Sequence, residues 1–168
     1  MNIFILHRIP RLAARYHCDK HVTKMITESC QMISTCLIVK HKIKSNKLYK
    51  ACYVNNKLNI WLRKSDGNLN WLIQLTKGLI DEYNLRFKKE ENYVNAKAIL
   101  NFVESLTYLK LDEPMTDFVL AMPDEYKNID PVESYRTFYL LDKRVKGKVQ
   151  YNHSPKPKWY SEMETSLK

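Results

Sequence analysis

Two long stretches of this chain repeat their apolar residues at three- and four-residue steps, which is the period of a helix and not of a strand. The first runs from Arg11 to about Val39, with Leu12, Val22, Met25, Ile26, Met32, Ile33 and Leu37 in step. The second runs from Asn68 to Phe87 and carries Trp71, Leu72, Leu75, Leu79, Ile80 and Tyr83. A third, weaker pattern spans about Tyr93 to Leu109. With only 3 Gly and 6 Pro in 168 residues, the chain lacks the punctuation of a many-turned β fold. No strand pairing and no internal repeat is apparent. The expected fold is mostly α, a single helical domain over residues 1–168 with an extended basic tail over 147–168.

Start signals refine this outline. Pro10 fits the first turn of a helix, and Ser65-Asp66-Gly67 is a turn with helix-start character. Asp130-Pro131-x-Glu133 combines a cap, a first-turn proline and an acid at the helix N-terminus, predicting a helix to about Lys146. Residues 2–6 are an apolar run, expected as an arm or a tucked-in end. Pro114 and Pro123 bracket a short element.

The charge is lopsided. Lys and Arg number 28 against 18 acids, for a formal net charge of +10. Eight of the cations lie between Lys40 and Lys64, with no acid among them. A polyanionic partner, DNA or a nucleotide, is the simplest expectation, and an ordinary Lys-rich surface is the plain alternative. Two groups are candidates for DNA phosphates: Lys40, Lys42, Lys44, Lys47 and Lys50, and then Lys143, Arg144, Lys146 and Lys148. No Gly-x-Gly-x-x-Gly and no P-loop occurs, so dinucleotide and NTPase chemistry has no support, and no cofactor is expected. The four cysteines form no Cys-x-x-Cys pair and read as reduced thiols. No stretch reaches the length of a membrane span, and the N-terminal apolar run is too short for a signal peptide. The expectation is a cytoplasmic protein without a membrane partner. Its oligomeric state is open.

One group of residues breaks the apolar pattern. His17, His21, Lys24, Glu28 and Gln31 follow at steps of 4, 3, 4 and 3, so they share one face of the first helix. Burial of such a stripe is costly unless its members pair or line a site. Three readings stand open. It is a solvated face with a Lys24–Glu28 pair, a zinc site begun by His17-x-x-x-His21, or an acid–base centre in which cations and burial act on Glu28 in opposite directions.

The same residues carry a resemblance. The string His17-Cys18-Asp19-Lys20-His21-Val22-x-Lys24-Met25-Ile26-x-Glu28-x-x-Gln31 resembles small phage and viral proteins described as pyrimidine-dimer DNA glycosylase-like, or endonuclease V-like. Further blocks follow in order. They are Trp61-x-Arg63-x-Ser65-x-x-Asn68-x-Asn70-Trp71-Leu72, then Glu82-Tyr83-x-x-Arg86-Phe87, then Ala121-Met122-Pro123-Asp124-Glu125-Tyr126-Lys127, and last Tyr135-Arg136-x-x-Tyr139-x-x-x-Lys143. The chain departs from that pattern at Asn56-Lys57 and near Glu91, where the family often has His. It also has Asn at position 2, too large for ordinary removal of the initiator Met, whereas the distant dimer glycosylases use a mature N-terminal amine as nucleophile.

The resemblance implies an enzyme acting on a nucleobase or its N-glycosidic bond. The stripe residues are then catalytic, with Glu28 as the carboxylate and Lys24 or the Met1 amine as the nucleophile. Trp61, Arg63, Asn70, Trp71, Glu82, Arg86, Tyr135 and Arg136 are then candidates to hold substrate, with Trp61 the favoured base-stacking ring because it stands in the basic segment. Trp71 as core and Glu82–Arg86 as a structural pair are the competing expectations. Two other functions fit the same residues: a base- or nucleotide-modifying enzyme of phage DNA hypermodification, and a non-catalytic protein that sequesters DNA or a nucleotide against host defence.

Overall fold

A computed structural model describes residues 2–89, 91–143, 147 and 149–166. Among these the regular structure is helical and no strand occurs. The helices are α1 (Pro10–Tyr16), α2 (Asp19–Val39), α3 (Lys57–Lys64), α4 (Asp66–Phe87), α5 (Val94–Glu104), α6 (Pro131–Phe138) and α7 (Lys158–Ser166). A 3₁₀ turn covers Asp124–Tyr126, and α6 continues as a π-helical turn over Tyr139–Lys143. None of the described helices is long and apolar enough to cross a membrane.

Helix α4 is the spine, packed along both α1 and α2. Its start is fixed by sequence. Ser65 Oγ caps the Gly67 N–H at 3.0 Å and donates to the Pro114 carbonyl at 2.7 Å. A Cβ at Gly67 would lie 1.9 Å from the Glu113 carbonyl oxygen, so only glycine lets that loop close over the helix end. Asn68 secures the same loop, donating to Thr116 Oγ1 and accepting the Thr116 N–H.

The arm before α1 is fully tucked in. Ile3, Phe4, Ile5 and Leu6 are all buried between the helices, each removing about 1.5–3 kcal/mol worth of apolar surface from water.

Several expectations are corrected. The first helix is two helices, because the chain turns out of helical geometry at His17 and Cys18. The third helix stops at Glu104, with Leu109 buried in the turns that follow. The tail is not extended throughout, since α7 forms over Lys158–Ser166 and buries Trp159 and Tyr160. As expected, none of the four cysteines is in a disulfide. Burial pushes the Cys30 and Cys36 thiols up to about 12, so both are inert at neutral pH.

Candidate active site

The break between α1 and α2 is built around one guanidinium. Arg86, reaching across from α4, donates to the carbonyls of Arg15 and His17 at 2.9 and 2.7 Å. It donates further to Asp19 Oδ1 at 3.2 Å and twice to Glu82 Oε2, at 3.0 and 2.8 Å. All five of its N–H groups are thereby engaged. The carbonyls at the end of α1 lose their helical donors at the break, and Arg86 supplies replacements. Asp19 Oδ2 accepts the N–H groups of Asn152 and His153, binding the C-terminal segment to the same point.

This break splits the polar stripe. His17 is fully buried, and its Nδ1 donates to the Ala13 carbonyl at 2.7 Å. Nε2 then carries no proton, is buried, and has no partner among the described residues. His21 Nδ1 lies 2.7 Å from the Tyr139 hydroxyl, which also accepts the Cys18 N–H at 2.8 Å. Phe4 of the arm stacks on the His21 ring at 4.8 Å. Burial lowers His17 to about 4 and, with the nearby His17 and Lys24 charges, His21 to about 3. Both rings are therefore neutral at pH 7. Burial likewise raises the Tyr139 hydroxyl well above its ordinary value. Among the described residues no group of three or more His, Cys, Asp or Glu is placed to hold a metal ion.

The other half of the stripe reaches water. The Glu28 side chain is 17% exposed and that of Lys24 60%. Glu28 Oε1 lies 3.1 Å from Lys24 Nζ, and Oε2 accepts the backbone N–H of Asn2 at 3.2 Å. One carboxylate thus joins a solvent-facing amine to the outer end of the buried arm. Gln31 is half-buried one turn further on. Five clefts of 250 to 800 Å³ are lined by described residues, and none of them includes a member of the stripe.

No family model, curated protein or solved structure matches the chain.

The remaining candidates separate by what they touch. Trp61 is 1% exposed and packs against Trp71 and Phe118, so it is a core ring and cannot stack on a base. Trp71 is also core, with its Nε1 donating to the Arg8 carbonyl at 2.7 Å. Arg63 donates to the Val54 carbonyl, Asn70 to the Leu111 carbonyl, and the buried Tyr135 to the Val119 carbonyl. Arg136 donates to the Leu6 carbonyl and to Glu133, and lies over the Trp159 ring. Glu82 and Arg86 belong to the clasp at the helix break. All eight are engaged within the chain: Trp61, Trp71 and Tyr135 are core rings, Arg63, Asn70, Glu82 and Arg136 are half-buried, and Glu82 and Arg86 also line a cleft of about 300 Å³.

The cations divide too. Lys40 pairs with Asp66 Oδ1 at 2.5 Å, beside His41 at 3.0 Å. Burial raises the Asp66 carboxyl, but the bond from Lys40, the nearby His41 and the Lys110 N–H outweigh it and hold the group below its ordinary value. Lys40 is therefore a structural cation. Lys143 is paired with Asp142 and lies over the Phe138 ring. Arg144, Lys146 and Lys148 lie outside the described residues. Lys42, Lys44, Lys47 and Lys50 are exposed, as a phosphate-binding role requires.

Sequence reasoning passed over Tyr139, Asp19 and Asn2 as site residues. Tyr139 and Asp19 stand inside the quoted blocks, where one more polar group was the available signal. Asn2 gave no signal, since its contact with Glu28 depends on how the arm threads the core.

Proposed function

We propose that this protein is a DNA-binding enzyme acting at the N-glycosidic bond of an altered nucleotide, with Lys24 and Glu28 as its chemical centre. The observation that carries the reading is the setting of Glu28: a carboxylate largely withdrawn from water, with an accessible amine 3.1 Å from one oxygen. Glycosidic cleavage through an imine needs those two groups together. The Lys24 ammonium first loses one proton to solvent; the neutral amine then attacks C1′, and the C1′–N bond breaks with its electron pair leaving on the base, which takes a proton from solvent. Glu28 accepts the proton that the attacking nitrogen sheds. It returns that proton to the ring oxygen as the sugar opens, leaving a protonated imine between C1′ and the amine. The carboxylate also faces the positive charge that develops at C1′. Lys42, Lys44, Lys47 and Lys50 hold phosphates in this scheme, so binding is electrostatic and independent of sequence.

Borohydride reduction on duplexes carrying a pyrimidine dimer or an abasic site tests the reaction. A covalent adduct is expected. Glu28→Gln is expected to leave DNA binding nearly intact and to cut turnover by a factor on the order of a hundred or more. Lys24→Ala removes the adduct if Lys24 is the nucleophile. If it survives, and chemical acetylation of the N-terminal amine removes it, the arm supplies the amine. A second reading, a binder without turnover, is favoured by the four exposed lysines. It predicts a salt-sensitive gel shift with no product and no adduct.

A further inference from the structure

We propose that Tyr53 is a stacking platform for an unpaired base, working with the lysines of the 40–64 segment on one nucleic-acid strand. This rests on the DNA reading above and adds to it the aromatic contact that buried Trp61 does not supply. Tyr53 is 69% exposed, and its ring has no hydrogen bond or ring contact among the described residues. Its backbone has φ 48°, the left-handed region that bulky side chains seldom occupy.

The surroundings enforce that conformation. The buried Asn59 amide donates to the Cys52 carbonyl at 3.2 Å and to the Tyr53 carbonyl at 2.9 Å. The Asn56 N–H also reaches the Tyr53 carbonyl, at 2.9 Å. Arg63 Nη2 donates to the Val54 carbonyl at 2.9 Å, and Thr35 Oγ1 accepts the Cys52 N–H at 3.1 Å. Three consecutive carbonyls are therefore held by α3 and its cap residue, and the next N–H back is held by α2. A conformation so over-determined, with a ring held out in water as its product, calls for a ligand. Charge identifies the ligand. No acid lies between Lys40 and Lys64, and exposed Lys50 and Lys57 flank the ring in sequence. Lysines on the backbone and an aromatic face on a base are how a single strand is held without sequence preference.

Fluorescence anisotropy of a labelled single strand over a salt series tests this, using the full chain. Tyr53→Asn removes the ring and keeps a residue that tolerates the left-handed region. It should weaken binding roughly 5- to 100-fold with the salt slope unchanged. Tyr53→Trp should restore wild-type affinity, and 2-aminopurine in the strand should be quenched by wild type and Tyr53→Trp but not by Tyr53→Asn. If Tyr53→Asn binds within twofold of wild type while Lys42→Ala/Lys44→Ala/Lys47→Ala binds weakly, stacking is overturned and the DNA reading stands. If the wild type binds neither the single strand nor a labelled duplex at low salt, both fall.

Discussion

Glu82 and Arg86 stand four residues apart on α4, as Lys24 and Glu28 do on α2. Spacing and charge make the two pairs look alike, and their surroundings make them opposites. The Arg86 side chain is 1% exposed and makes five hydrogen bonds to four acceptors, one on each of four residues. The Lys24 side chain is 60% exposed and has one carboxylate partner. A cation with every donor engaged is fixed in place and closed to substrate. A cation with one partner at the surface contributes little to stability, and its nitrogen is within reach of substrate, where it reacts once it has shed a proton.

The contrast is testable through stability. Arg86→Ala should have the largest effect, because it leaves the Asp19 and Glu82 carboxylates without their cation. A loss of about 3–5 kcal/mol is expected in urea unfolding. Arg86→Lys should recover little of it, since an ammonium cannot reproduce the fork.

Acid comes next. His17 and His21 are neutral in the fold but titrate near 6.5 once unfolded, so the unfolded chain binds more protons between those limits. Stability should be full above pH 6.5 and fall as pH drops, through about 4 for His17 and towards about 3 for His21. Across its window His17 alone removes about 3 kcal/mol, and His17→Phe should flatten part of the slope in pH-dependent denaturation.

The smallest effects belong to the surface pair. Glu28→Gln and Lys24→Ala should each cost under about 1 kcal/mol. If Lys24→Ala unfolds the protein as Arg86→Ala does, the contrast fails and the α2 pair is structural. If it leaves stability alone yet removes the borohydride adduct, the contrast holds in its sharpest form.

The sequence disclosed the helices by their period but hid the α1–α2 break. Ala14, Cys18 and Val22 keep a four-residue step across it, and the guanidinium that holds the break sits 69 residues away at Arg86. Trp61 is hidden for a related reason. Basic neighbours mark a segment as surface, but Leu58, Trp61 and Leu62 fall at steps of three and four and turn Trp61 inward. That period was legible and should have outranked charge. Lys40 was not legible in this way, since Asp66 lies 26 residues further on, beyond α3. The stripe's spacing holds for His21, Lys24, Glu28 and Gln31 on α2 and fails at His17, which lies outside that helix; spacing carries no information about where that face leaves the core.

The Asp19 carboxylate joins residues that a ribosome delivers far apart in time. Arg86 emerges well after the α1–α2 joint, and the Asn152 and His153 amides follow Asp19 by 133 and 134 residues. Until then Asp19 Oδ2 lacks two of its donors, and the Tyr16 carbonyl lacks the Tyr151 hydroxyl that meets it at 2.8 Å. Contacts of this sequence separation are the kind that slow folding. A chain whose first helices form before those donors arrive carries an open seam in the meantime, the condition in which partly folded chains are most exposed to mispairing.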